Sequence, residues 1–302
     1  MIIDVHNHPH YRGYGPQKVI ENMDRYGIDL TVLLSWEAPP TEFHPEVLHE
    51  HSPLSSNPLP FTACLEYKYR YPDRFLLGYC PDPRVPGAVA RLKAANELYD
   101  LSICGELKLR MMYDNPDAIR LYRAAGELGL PVLMHFEYGH DTPNNMYPWP
   151  DWWYGGGIDV LERVLQQCPE TIFIGHAMGF WAHISNDDGY KQINYPTGDI
   201  VPGGRVEQLL EKYPNLYCDT CGRSGCNALT RNREFGRDFL IRWQDRVLYA
   251  RDLWENFHQE TIDSFDLPEE VRYKLYEGNA RKILRGGDRI PTGTQLSRTN
   301  AK

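Results

Sequence analysis

The sequence predicts a (β/α)8 barrel: a single domain with long βα loops. Three observations carry that expectation. Short apolar runs alternate with longer amphipathic segments eight times, the pattern of parallel strands joined by right-handed crossovers. The 302 residues suffice for the roughly 250 that a closed barrel of eight units takes. Four histidines and one aspartate fall at predicted strand ends, where the loops of such a barrel gather.

The first predicted strand is IIDVH (2–6), followed by a helix in PQKVIENMDRYG (16–27). LTVLLS (30–35) leads through a Pro-rich loop, 38–60, to PFTACLEYKYRYPDRF (60–75). FLLGYCPDP (75–83) precedes the helix AVARLKAANELYD (88–100). CGELKLRMM (104–112) precedes NPDAIRLYRAAGELG (115–129), where Gly129 is placed to stop the helix. PVLMHFE (131–137) is followed by IDVLERVLQQC (158–168), and TIFIGHAMG (171–179) by GGRVEQLLEKYPN (203–215). LYCDT (216–220) pairs with EFGRDFLIRWQD (234–245); RVLYARD (246–252) is followed by HQETIDSF and EEVRYKLYEGNARKIL. This gives a barrel over residues 1–285 and a polar, Gly- and Pro-containing tail over 286–302.

A formal charge of −9 argues against nucleic acid or an anionic membrane surface as partner. No apolar run nears the roughly 20 residues of a membrane span. The strand pattern starts almost at Met1, leaving no secretory leader. Seven scattered cysteines fit reduced thiols better than a disulfide framework. The expectation is a cytoplasmic protein acting on a small molecule, with homo-oligomerisation left open. Neither a P-loop nor a strand-coupled G-x-G-x-x-G occurs, so no nucleotide cofactor is expected.

The opening MIIDVHNHPH read with period two puts Asp4, His6 and His8 on one face. The two imidazoles then stand roughly 6.5–7 Å apart along the strand, close enough to share an ion. His135 ends strand five, His176 strand six and Asp252 strand eight. A lone strand-end histidine is more often a structural hydrogen-bonding residue; five such groups at one barrel mouth predict a metal centre.

The segments DVHNH, LMH, GHAMG, LYARD and GNARKIL, in this order, resemble the amidohydrolase superfamily. Within it they are similar to the amidohydrolase-2 branch related to aminocarboxymuconate-semialdehyde decarboxylase. The resemblance implies one divalent ion on His6, His8, His135 and Asp252, zinc by default, with manganese, nickel or iron as alternatives. It implies activated water, Asp252 as proton shuttle and His176 as its hydrogen-bonding partner. The roles of His135 and His176 stay exchangeable. Ala250-Arg251 departs from the small Gly-Ser or Gly-Thr pair usual in relatives and is expected to set a guanidinium beside the centre.

Other side chains are candidates for substrate contact. Lys108 shares a predicted strand face with Glu106 and Arg110, which allows a Glu106 salt bridge, a grip on a substrate carboxylate, or a carboxylated lysine bridging two metals. Arg223 lies in the loop after strand seven. Trp149, Trp152, Trp153 and Tyr154 after strand five, with Phe180 and Trp181 after strand six, are expected to wall an aromatic mouth or to pack on the rim. Cys218, Cys221 and Cys226 read as buried thiols, His44, His49 and His51 as solvated polar residues, and His10 as either substrate contact or structural hydrogen bond.

The first functional expectation is hydrolysis of an amide, ester or lactone in a cyclic or unsaturated substrate by metal-activated water. The alternative is metal-dependent, non-oxidative decarboxylation of an unsaturated or aromatic acid. A catalytically silent binding barrel is the alternative of another class.

Overall fold

A computed structural model describes residues 1–39, 42, 59–139 and 153–290. Eight strands are present: β1 Ile3–Asn7, β2 Leu30–Leu34, β3 Phe75–Gly78, β4 Cys104–Leu107, β5 Val132–His135, β6 Phe173–His176, β7 Leu216–Asp219 and β8 Val247–Leu248. They pair in parallel as β1-β2-β3 and β4-β5-β6-β7-β8. Backbone bonds from Tyr79 N to Ile103 O (3.3 Å) and Ser102 N to Leu77 O (2.9 Å) join the two runs. Val5 N to Tyr249 O (3.2 Å) and Asp252 N to His6 O (2.9 Å) close the ring. The predicted (β/α)8 barrel is therefore present, in a distorted form whose strands are short.

The helices follow their sequence signals. Pro16–Tyr26 (α1) has proline in its first turn and left-handed Gly27 after its last. Pro116–Glu127 is capped by the Asn115 side chain, which accepts from Asp117 N at 2.8 Å. Gly129 adopts φ +70° two residues past that helix. CGRSGC (221–226), expected in the loop after strand seven, is helical from Gly222, in a helix that runs to Thr230 (α2). Its glycines weaken the helix signal, yet a Cβ on Gly225 would stand 2.7 Å from Thr220 O, so close packing dictates glycine there.

Apolar side chains segregate into two layers. Ile3, Val5, Leu30, Val32, Ile103, Leu133, Ile174 and Leu248 fill the barrel, with Ile283, Leu284 and Ile290 packed against them. A larger cluster, including Leu92, Leu121, Leu161 and Leu209, seals helices to strands. Arg285 N bonds to Ser102 O at 3.0 Å and Arg289 pairs with Asp100 at 3.0 Å. The first residues of the predicted tail, 286–290, thus dock on the barrel; 291–302, most of the 38–60 loop with His44, His49 and His51, and Trp149 and Trp152 lie outside the described residues.

Two expectations fail at β1. Its pairing with β2 is irregular between Asp4 and Asn7, so alternation skips a step. Ile3 and Val5 face the barrel interior. Asp4 faces the other way, accepting from Asn7 Nδ2 at 3.1 Å and Arg251 Nε at 2.8 Å. Arg251 does not reach the metal centre. It is fully buried beneath it, with Nη1 donating to Asn22 Oδ1 of α1 at 2.9 Å. Phe180 is also corrected: it is fully buried in the core against Gly175 and lines no wall.

Removing one member of a fully buried ion pair leaves its partner uncompensated, which costs about 3–5 kcal/mol. Arg251→Ala is expected to lose stability of that order in denaturant melts; a loss under about 1 kcal/mol, the scale of an exposed pair, would refute the structural role.

Candidate metal centre

The strands carry their polar residues to one rim because each leaves the apolar interior at the same level. His6 and His8 come from β1, Glu106 from β4, His135 from β5, His176 from β6, Asp219 from β7, and Asp252 follows β8. All but Asp252 are nearly inaccessible, and the Asp252 side chain is 22% exposed. It is the group turned to the mouth. Its backbone is left-handed at φ +52°. Ala177, directly after His176, has φ +73° and ψ −178°, a region that is essentially glycine's and costs about 1–3 kcal/mol.

The outer nitrogens of three imidazoles are held. Asp219 Oδ2 accepts from His6 Nδ1 at 3.2 Å and its Oδ1 from His176 Nδ1 at 3.0 Å. Leu34 O accepts from His8 Nδ1 at 3.0 Å. A carboxylate and a carbonyl only accept, so each Nδ1 carries the proton and each Nε2 turns a lone pair inward. His6 Nε2 and His8 Nε2 are 3.3 Å apart. Two facing lone pairs at that distance repel unless a cation lies between them.

Carboxylates complete the ring of donors. Glu106 Oε2 is 3.3 Å from His8 Nε2, and its Oε1 is 3.9 Å from His6 Nε2. Asp252 Oδ1 is 3.5 Å from His8 Nε2 and 3.8 Å from His6 Nε2. Donors about 2.1 Å from a tetrahedral ion stand roughly 3.4 Å from one another, which these spacings match. Three overlapping donor groups lie within 4.8 Å: His6, His8 and Glu106; Glu106, His135 and His176; and His6, His176, Cys221 and Asp252.

His135, expected as a ligand, belongs to the second of these groups. Its Nδ1 faces Glu106 Oε1 at 2.9 Å and its Nε2 faces Glu137 Oε2 at 3.2 Å. The ring thus lies between the two carboxylates and braces Glu106 from behind. His176 stands closer to the centre, with Nε2 at 3.6 Å from Glu106 Oε1 and 3.9 Å from Asp252 Oδ2.

Burial works against ionising Glu106, but the His135 and Lys108 charges overcome it and hold the carboxyl well below its usual range. Asp219 behaves alike: burial opposes its charge, and His176 and His6 outweigh burial. Burial, reinforced by Asp219, pushes the Cys221 thiol well up. That neutral thiol donates to Asp219 Oδ1 at 3.1 Å. All seven cysteines are free and buried.

The Lys108 salt bridge to Glu106 does not form, because the histidines occupy the Glu106 oxygens. Lys108 leaves the strand instead and sets its ammonium 4.6 Å from the Trp36 ring centre and 5.6 Å from that of Tyr154. Burial would lower its pKa; Glu106, Tyr154, Glu137 and Asp252 raise it further than burial lowers it, so the cation persists. Trp36 Nε1 donates to Lys108 O at 2.7 Å, fixing the turn. Arg110 is half-buried, and its backbone N donates to Glu42 at 2.9 Å. Trp153 is half-buried. Arg223 is exposed on the first turn of α2. His10 takes the structural option, with its backbone N donating to the Tyr67 hydroxyl at 2.7 Å and Nε2 facing Glu66 at 3.2 Å.

Sequence reasoning missed Asp219 and Glu137 and gave Glu106 another partner. Asp219 ends β7 in LYCDT much as Asp252 follows β8 in LYARD, and Glu137 follows His135 by two residues. The strand-end position was the available signal for each.

No helix among the described residues is long and apolar enough to cross a membrane. Comparison with curated proteins finds no match. Among solved structures the chain is similar to 2,6-dihydroxybenzoate decarboxylase from Rhizobium, at 17% identity over 93% of this chain and 98% of that one, with a TM-score of 0.59. It is similar to a dihydroxybenzoic acid decarboxylase from Polaromonas sp. JS666 with bound manganese and the inhibitor 2-nitroresorcinol, at 16% identity, 93% and 96% coverage and TM-score 0.58. A probable 2-pyrone-4,6-dicarboxylic acid hydrolase from Acinetobacter baumannii, with citric acid bound, aligns at 13% identity, 93% and 98% coverage and TM-score 0.55. These likenesses establish the barrel fold. The family model described as Amidohydrolase matches residues 3–286. With that match and a buried cluster of converging metal donors, the chain belongs to the amidohydrolase family and is a metal-dependent enzyme.

Proposed function

We propose that this enzyme is a non-oxidative decarboxylase of a small aromatic or unsaturated carboxylic acid, with one divalent ion held by His6, His8, Glu106 and Asp252. The carrying observation is the Lys108 ammonium, kept charged between the faces of Trp36 and Tyr154 beside the donor cluster. A cation among flat apolar walls suits an anionic, planar acid. The dihydroxybenzoate decarboxylases among the solved neighbours take substrates of that class by name.

Charge balance supports the ion. Glu106 and Asp219 are held ionised, and carboxylates outnumber the Lys108 cation around the cluster, which favours a divalent cation among them. Two imidazoles and two carboxylates suit zinc or manganese. When bound, the ion polarises a substrate oxygen next to the carboxyl group that leaves.

The chain's own residues supply the rest. Lys108 draws the acid into the mouth and steadies charge that moves onto its ring oxygens. The bond between ring carbon and carboxyl carbon breaks, its electron pair stays on the ring carbon, and CO2 departs. Asp252 directs Oδ1 at His6 and His8 and Oδ2 at His176; its partly exposed carboxylate would take a proton from solvent at Oδ2 and give that proton to the ring carbon as CO2 leaves. His176, oriented by Asp219, turns Nε2 towards Asp252 Oδ2 and accepts from it while Oδ2 carries the proton.

Four measurements test this. With the zinc- or manganese-loaded enzyme, hydroxybenzoates and unsaturated acids are expected to release CO2; hydrolysis of lactones, esters or amides without CO2 release would replace decarboxylation by hydrolysis. Chelation is expected to abolish turnover, with recovery on adding zinc or manganese, and undiminished activity in metal-free protein would overturn the centre. Asp252→Asn is expected to keep the fold and lower kcat by about 100-fold or more, and full activity would remove Asp252 as the proton donor. Lys108→Met is expected to raise KM for the acid about tenfold or more with its circular dichroism unchanged. An unchanged KM would remove Lys108 as the anion anchor.

A further inference from the structure

Asn7 separates the two histidines of β1 and is fully buried. Its side-chain amide uses both ends. Oδ1 accepts from His8 N at 3.0 Å, and Nδ2 donates to Asp4 Oδ2 at 3.1 Å and to Leu253 O at 2.9 Å. The bonds to His8 and Asp4 stay within β1 and its immediate continuation, and they set which way the amide faces. The third crosses the barrel seam to the residue after Asp252. No other side chain of this length offers an acceptor at one end and two donors at the other.

Asp252 needs holding. Its backbone is left-handed at φ +52°, a conformation that a residue with a Cβ keeps only when its surroundings impose it. On the near side, Arg251 N donates to Asp4 Oδ1 at 3.0 Å, Gly222 N to Arg251 O at 2.9 Å and Asp252 N to His6 O at 2.9 Å. On the far side, Asn7 donates to Leu253 O, and Asn22 Nδ2 donates to the next carbonyl, Trp254 O, at 2.7 Å. The turn held in this way brings Asp252 Oδ1 back over β1, 3.5 Å from His8 Nε2 and 3.8 Å from His6 Nε2. The His8 ring has its own anchor in Leu34 O at 3.0 Å, so loss of the Asn7 amide frees Asp252 rather than His8.

We propose that Asn7 is a positioning residue: gripping Leu253 O from between His6 and His8, it holds the Asp252 carboxylate at the spacing that lets it share an ion with the two imidazoles. The proposal rests on Asp252 as a ligand in the proposed function and does not depend on the reaction that the ion serves. An ordinary buried amide supports the barrel as a whole. Asn7 ties one ligand segment to another, so its effect on the ion passes through Asp252.

Zinc affinity reads this without turnover. The zinc dissociation constant is measured by competition with a chelating dye for the wild type, Asn7→Thr, Asp252→Ala and the double variant. Thr keeps the branched shape that suits a strand, but its hydroxyl falls one bond short of Leu253 O. Asn7→Thr is expected to weaken zinc binding about tenfold when Asp252 is present and by less than about twofold once Asp252 is alanine. Asn7→Ala, which opens space instead of filling it, carries the same comparison if Asn7→Thr does not fold, and circular dichroism of the metal-free proteins checks folding. Unchanged zinc affinity in the Asn7 variants would overturn the proposal. So would a loss by the same factor in both backgrounds, which marks a merely structural amide. Wild-type affinity in Asp252→Ala would remove Asp252 as a ligand, and the proposal with it.

Discussion

The centre depends on one carboxylate. Asp219 bridges His6 and His176 through its two oxygens, fixing both imidazoles as Nδ1–H tautomers with lone pairs pointing inward. Cys221 and the Trp181 indole brace it, the latter donating to Asp219 O at 2.9 Å. Without that bridge either ring could turn or change tautomer, and the Nε2 atoms would stop converging. Leu34 O does the same for His8. A buried polar cluster of this density survives only because each group has a partner, the remaining imbalance being the charge a divalent ion neutralises.

Below the centre lies a second electrostatic anchor that does no chemistry. The Asp4–Arg251 pair closes the barrel where β8 meets β1, and Asn22 ties it to α1. The irregular step after Asp4 lets one strand serve two environments: Ile3 and Val5 fill the apolar interior, while His6 and His8 reach the polar rim. An uninterrupted strand would carry Asp4 to the histidine face, burying a carboxylate among Leu30, Val32 and Leu248.

The mouth is built from segments remote in sequence that share one electrostatic field. Lys108 is cationic on an otherwise acidic chain, and Glu106, Glu137 and Asp252 hold its charge. An acidic protein can in this way present a locally attractive surface to an anion, because fields inside a low-dielectric funnel are dominated by the nearest charges rather than by net charge.

Much of this was legible locally. Alternating strand and helix patterns, proline at helix starts, Gly27 and Gly129 beyond helix ends, and histidines at strand ends are all consequences of short-range backbone chemistry, so they mark the barrel and the location of its centre before any fold is known. Partnership was not legible. Glu106 looked like a partner for Lys108 because period two puts them on one face, but the strand ends at Leu107 and the histidines claim the carboxylate. Arg251 adjoins Asp252 in sequence yet points beneath the centre, and Phe180 follows His176 closely yet fills the core. Sequence by itself determined which residues the strands deliver to the rim, since strand period is a local property. Only the tertiary structure decided which of them face one another, since ring closure, the irregular step in β1 and competition for a few buried acceptors involve residues as far apart as His6 and Asp252.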